Sequence, residues 1–422
     1  MTMTESTMES QIPTGTAPGS LAGLRVVELG TSVAGPTTGQ ILGDLGAEVI
    51  KVERVGAGDD TRGWAPPYWG SEPMAFLGLN RNKKSLALDF KDGRGVQVLE
   101  RLVAGADVLV QNLRPGALAK VGFDLERLRE LNPRLVYCEM SGFGPVGPRA
   151  SEPAYDPLLQ AYSGIVSLLD TGEGPPMRVP LSILDKGTGM WAVIGILDAL
   201  RRRDQSGKGS HVEVSLLQTA VSWVDQKVMG SRAGNPAPRN LGSGHPGVVP
   251  YGAFPVEDGH VFISAGNQTL WTRLVEALGA RELMERPGFG SNPERAERRA
   301  EVNEAVSAAT RAFATDELLE RLAAAGVPSA PVRPVHEVAD DPQVRAVGLV
   351  TPLPHPNVPE LEVVHLPVTF DGAYLPHQCP PPELGQHSVA LLQDLGFSGD
   401  EVELMMADGV VGSTATAVGT SA

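Results

Sequence analysis

Short apolar runs punctuate the first third of the chain, separated by longer stretches whose apolar positions recur at helical spacing. Leu24–Gly30, Glu48–Glu53, Lys84–Asp89, Asp107–Asn112 and Leu135–Met140 read as strands. Between them Pro36–Gly46, Gly93–Ala104 and Asp124–Leu131 read as helices, the first with Pro at its start and the last capped by Asp124. Strand, helix and strand within roughly 30 residues predict a right-handed parallel crossover. Repeated in this way, they predict an α/β fold built on a doubly wound, Rossmann-like parallel sheet.

Further along, Val179–Asp185 reads as an apolar strand ending at a carboxylate, and Ala192–Arg203 as the helix after it. Gly187 and Gly189 predict a tight turn between the two and leave little bulk around Asp185. An Asp before a helix is a cap or, where a substrate can reach it, a nucleophile, and both roles favour the ionised form. Ligands of such sheets bind at the carboxyl ends of the strands. The Gly30–Pro36 turn, Arg54, Asn112, Ser141 and Asp185 all fall there, which raises Asp185 above a simple cap. The Gly30–Pro36 turn lacks both G-x-G-x-x-G and the Gly-Lys-Ser/Thr ending of a P-loop, so it predicts neither dinucleotide nor triphosphate binding.

Gly, Pro, Asn and Arg dominate residues 230–247, and the strands and helices beyond suggest a separate, smaller α+β domain. The expected organisation is a disordered leader at 1–20 and the first part of a large α/β domain at 21–229. A linker with a glycine loop follows at 230–247, then the small domain at 248–325. A return linker with the C-terminal part of the large domain occupies 326–407, and a disordered tail 408–422. A last helix is expected at Ser388–Leu395, with strands around Leu361–Phe370.

With 422 residues and 42% hydrophobic positions, the chain can bury two cores. Its apolar runs are too short for a membrane span, and Met1–Ser10 lacks the basic and apolar regions of a signal peptide. Two cysteines, Cys138 and Cys379, suit a reducing cytosol, so a cytoplasmic protein is expected. No His pair has ligand spacing, which predicts no metal site. A net charge of −15 disfavours nucleic acid and anionic membranes, but not a small anion held by a few local cations.

Several stretches together resemble the class III CoA-transferases, the formyl-CoA and carnitine type. They are Leu21–Leu29, Leu45–Glu53, Asp60–Trp64, Asn82–Ser85, Gln111–Gly116, Ser141–Gly144, the Asp185 stretch and Leu384–His387, covering the chain from Leu21 to about Ala407. The resemblance implies a nucleophilic carboxylate at Asp185 and a mobile glycine loop at Gly242 and Gly244. It also implies a CoA site at Val33, Arg54, Leu88, Lys91, Asn112, Leu113, Ala117, Lys120 and Val121. Of these, Arg54, Lys91 and Lys120 are chemically suited to phosphates. Val33 and Leu113 depart from the glutamine and the aromatic residue of the formyl-CoA enzyme, which puts formate and oxalate in doubt.

No permanently bound cofactor is implied; CoA and acyl-CoA are substrates, a small carboxylic acid is the acceptor, and the expected assembly is an interlocked homodimer. Racemases of the same fold need a second acid–base group, a His in a His-Asp pair. Tyr155-Asp156 stands there, and a phenol is a poor base near neutrality. Asp156 is expected to be structural, as a helix cap. A catalytically inactive CoA-binding protein is the non-enzymatic alternative. Asp185–Met190, His245–Tyr251 and Gly266–Gln268 look most like the branch that moves CoA from succinyl-CoA to dicarboxylic acids, with Lys186, His245 or Arg239 as the cation for a second carboxylate.

Overall fold

A computed structural model describes residues 12–170, 174–235 and 241–414. Two compact units emerge: Met1–Ser163 with Val179–Asp225 and Pro342–Ala422 in the first, and Gly164–Arg178 with Gln226–Asp341 in the second.

The first unit holds a seven-stranded sheet. Its strands are β1 (Arg25–Leu29), β2 (Glu48–Glu53), β3 (Lys83–Leu88), β4 (Val108–Gln111), β5 (Val136–Ser141), β6 (Ser210–Ser215) and β7 (Val411–Gly412). In space the order is β7-β3-β2-β1-β4-β5-β6. All neighbours are parallel except the edge pair β7 and β3. Register pairs Val27 with both Ile50 and Leu109.

Consecutive residues of the central strands enter opposite cores, which is why Val26–Val27, Val49–Ile50 and Val108–Leu109 are adjacent apolar pairs rather than an alternation. Val27, Ile50 and Leu109 face one core, with α2 (Gly93–Ala104), α3 (Leu125–Leu131), α7 (Ser388–Asp394) and α8 (Gly399–Ala407) over it. Val26, Val49 and Val108 face the other, under α1 (Ala34–Asp44) and α5 (Ile183–Ser206). Each fully buried Leu, such as Leu99, contributes about 1.5–3 kcal/mol. The doubly wound sheet expected from the alternation is therefore present.

Three local expectations differ. No strand forms at Val179–Asp185: Val179–Ser182 is an irregular, bent segment, and the helix already begins at Ile183. The stretch expected as a disordered tail contributes β7, whose Val411 pairs with Leu88, and α8 precedes it. Within the expected leader, Gly15 donates its N–H to Tyr374 O and Pro13 O accepts from Tyr374.

The second unit has its own core around Trp271, Phe289 and Val261. A three-stranded antiparallel sheet, with Tyr251–Pro255 and Ser329–Pro331 flanking His260–Ser264, is covered by the helices Gln268–Ala277, Arg299–Thr310 and Thr315–Ala324. Among the described residues no helix is long and apolar enough to cross a membrane.

Candidate active site

Helix α5 runs antiparallel to the strands it joins, so its N-terminus lies at the carboxyl edge of the sheet. Ser182 precedes it but makes no side-chain cap. The cap comes from 28 residues upstream: Asp156 Oδ2 accepts the N–H of Leu184 at 2.6 Å and of Asp185 at 3.1 Å. Asp156 is buried as the first residue of α4 (Asp156–Tyr162). One turn on, the buried Gln160 donates Nε2–H to Asp156 Oδ1, and its Oε1 accepts from Val179 N at 2.9 Å. A single amide, having both a donor and an acceptor end, thereby fixes the capping carboxylate and the segment that delivers Asp185.

Asp185 sits half-buried in the first turn of α5. Among the described residues its carboxylate accepts no hydrogen bond, since Asp156 already serves the free N–H groups. Burial, and then the nearby Asp156 charge, push its pKa up to about 7. This runs against the helix-start preference for the ionised form: the favourable end of the helix dipole is occupied by another acid.

Gly187 and Gly189 lie inside the helix rather than in a turn before it. A Cβ on Gly187 would come within 2.3 Å of the ring of Trp223, the last residue of α6 (Leu216–Trp223). On Gly189 it would lie 3.0 Å from Ala34 O and Thr37 Cβ. Thr38 Oγ1 closes this contact by donating to Ala34 O at 3.0 Å and Gly189 O at 3.3 Å. Asp185, one turn before Gly189, thus stands at the end of α5 beside the start of α1.

The strand order reverses between β1 and β4, the position where doubly wound sheets open a ligand crevice. Asn112, just after β4, bridges the reversal: its Oδ1 accepts from Thr31 N at 2.8 Å and its Nδ2 donates to Thr31 O at 2.8 Å. Arg54 follows β2; it is exposed, donates to Gly58 O at 3.1 Å and pairs with Asp60. Lys91 is exposed beyond β3, and Lys120 is exposed on the short helix Ala117–Lys120 after β4. Ala117, Leu113 and Val121 are half-buried. Val33 is buried at the start of α1, and the Leu88 side chain lies in the core with 1% exposure, leaving only its main chain at the edge. All nine expected CoA residues therefore sit on loops or ends after β1, β2, β3 and β4, which are neighbours in the sheet.

Gly242 and Gly244 belong to the second unit. There Gly244 N donates to Leu241 O at 2.7 Å, Gly242 adopts φ 53°, and Ser243 Oγ accepts from Ala253 N at 2.8 Å. Thus Leu241–Gly244 is a closed turn tied to a strand, with the Gly244 N–H already engaged. His245 Nδ1 accepts from Gly247 N at 3.1 Å. Lys186 is exposed, and Arg239 lies outside the described residues. Tyr155 is 61% exposed.

Asp156 was legible as a cap but not as the cap of α5, because Asp156-Pro157 reads as the start of its own helix. Gln160 and Trp223 gave no signal at all.

The model of CoA-transferase family III matches residues 21–388. A succinyl-CoA:glutarate CoA-transferase of Mus musculus is 35% identical over 392 residues, 93% of this chain and 90% of that protein. A succinate–glutarate CoA-transferase of Agrobacterium fabrum is 35% identical over 381 residues, 89% of this chain and 95% of that one. Among solved structures, a CAIB/BAIF family protein from Brucella suis superposes with a TM-score of 0.83 at 36% identity, over 90% of this chain and 100% of that chain.

Proposed function

The chain belongs to CoA-transferase family III and is an enzyme that transfers CoA; from that premise we propose that Asp185 carries the CoA covalently and that the acceptor is a dicarboxylic acid. The ionised carboxylate attacks the thioester carbonyl of the donor acyl-CoA, forming a mixed anhydride and expelling CoA thiolate. The thiolate attacks the aspartyl carbonyl, which gives an aspartyl-CoA thioester and releases the donor acid. An acceptor carboxylate then attacks that thioester, and the thiolate released takes the acceptor's acyl group from the second anhydride, regenerating Asp185. One thioester replaces another, so the exchange needs no ATP.

One observation carries this reading: Asp185 occupies a helix start at the carboxyl edge while Asp156 does the capping, which leaves the Asp185 carboxylate without a hydrogen-bond partner among the described residues. A pKa near 7 keeps a substantial ionised fraction at neutral pH and, by burial, a poorly solvated nucleophile. CoA would bind along the loops after β1 to β4, with Arg54, Lys91 and Lys120 toward its phosphates.

Relatives whose names pair succinyl-CoA or succinate with glutarate support a dicarboxylate acceptor and succinyl-CoA as donor. Mass spectrometry of acyl-CoA products, with succinyl-CoA and a panel of mono- and dicarboxylates, tests this. Glutarate-like acids should react fastest, and equal rates with formate would remove the dicarboxylate reading.

A homodimer is part of the same proposal. Met190, Trp191, Ile194 and Leu197 form an exposed apolar stripe along α5, the helix that begins with Asp185, and a second copy would cover it. A monodisperse monomer by light scattering would remove that element.

A further inference from the structure

The reaction chemistry leaves unused a group of charges buried beneath the Gly30–Pro36 turn. Glu28, Lys51, Glu53, Asp59 and Lys83 are each at most 3% exposed, and the Arg62 side chain, at 15%, closes the cluster toward solvent. Three acids face three bases, so the cluster is neutral as a whole. Lys51 is its hub. Its Nζ donates to Glu28 Oε1 at 2.7 Å and Gly30 O at 2.8 Å, and pairs with Asp59 Oδ2 at 2.7 Å. Two of the ammonium's hydrogen bonds thus go to Glu28 and the Gly30 carbonyl, and Asp59 Oδ2 lies against it as an ion pair.

Every branch from this hub reaches the turn. Gly30 O is the turn's first carbonyl. Glu28 pairs through Oε2 with Lys83 Nζ at 2.8 Å, and Lys83 donates to Pro36 O at the turn's far end, also at 2.8 Å. Asp59, held by Lys51, accepts from Ser32 N through Oδ1 at 3.3 Å. Next to it, Asp60 accepts from Thr31 Oγ1 at 2.7 Å and Ser32 Oγ at 3.2 Å. Ser32 has φ 67°, a left-handed conformation that a residue with a side chain holds only when its surroundings impose it. Close approach completes the frame: a Cβ on Gly39 of α1 would lie 1.9 Å from Glu28 Oε2, and one on Gly30 would lie 2.8 Å from Gly35 Cα.

Buried ion pairs are a poor source of stability, because desolvation offsets most of their attraction and apolar replacements are often as stable. What this one supplies is geometry, at the β1/β4 reversal where the ligand crevice opens. We propose that Lys51 is a positioning residue: through Glu28, Lys83 and Asp59 it holds the Gly30–Pro36 turn in the shape that receives the CoA portion of the substrate. The inference rests on the reading of this edge as the CoA site.

Two variants test it, Lys51→Met and the milder Asp59→Asn, with calorimetric Kd for CoA and steady-state kinetics compared per folded molecule after a thermal melt of each. Lys51→Met should weaken CoA binding and raise KM for the acyl-CoA on the order of tenfold, with kcat changed much less. Asp59→Asn should move both in the same direction by less, which keeps the test alive if Lys51→Met does not fold. A lowered melting temperature with unchanged Kd and KM in a folded variant would reduce the cluster to a structural role and overturn the proposal. Wild-type protein that binds CoA but transfers none would instead defeat the functional reading, and the Kd comparison would still decide the role of Lys51.

Discussion

Asp156 Oδ2 accepts the backbone N–H of Asp185 at 3.1 Å, so one carboxylate caps the helix turn from which the other projects. The arrangement separates two duties that a single Asp at a helix start would combine. Asp156 takes the favourable end of the helix dipole, and Asp185 is left half-buried, without a hydrogen-bond partner among the described residues and beside a like charge.

Replacing Asp156 therefore has two separable effects. Asp156→Ala removes the cap and should lower stability by about 1–2 kcal/mol in a denaturant titration. Asp156→Asn keeps an oxygen acceptor for Leu184 and Asp185 but removes the like charge that adds to burial in raising the Asp185 pKa. Its melting temperature should change less, and the acid limb of its kcat/KM profile should shift to lower pH.

In the wild type that limb should fall near pH 7, because activity requires ionised Asp185 and its pKa is pushed up to about 7. Stability carries the opposite signature. Between its ordinary value of 3.8 and about 7 the folded protein holds a proton that the unfolded chain has released, so this group makes stability fall as pH rises through that window. Asp185→Asn should consequently melt higher than wild type at pH 8 and alike near pH 4, as thermal scans at the two pH values would reveal.

Gly187 answers to packing. With Trp223 ring carbons 2.3 and 2.4 Å from where its Cβ would be, Gly187→Ala should cost about 1–3 kcal/mol and disturb the first turns of α5. Adding Trp223→Ala should recover part of that loss, so a double-mutant cycle should return a coupling well outside additivity.

The sheet is legible because its central strands carry adjacent apolar residues for both cores and its helices carry ordinary start signals such as Asp124. Val179–Asp185 has the look of a strand without being one, since a short apolar run has no period of its own. Its conformation comes from Gln160, whose hydrogen bonds to Val179 span 19 residues. Lys51 carries no sign of burial in a strand that looks half polar; only its pairing with Glu28 and Asp59 removes it from water. Strand β7 was hidden by composition, because Val411–Gly412 gains its order from the β3 edge rather than from local preference. The carboxyl-edge position of Asp185 could be read from the chain; the identity of its cap, a tertiary contact, could not.

The most direct test of covalent carriage by Asp185 is peptide mass spectrometry after incubation with succinyl-CoA and hydroxylamine, alongside rates for Asp185→Asn. An aspartyl anhydride or thioester should be captured as a hydroxamate on Asp185, only when acyl-CoA is present, and Asp185→Asn should lose transfer on the order of 10³-fold or more. Full-rate transfer with no label at Asp185, or a wild-type rate in Asp185→Asn, would contradict the account.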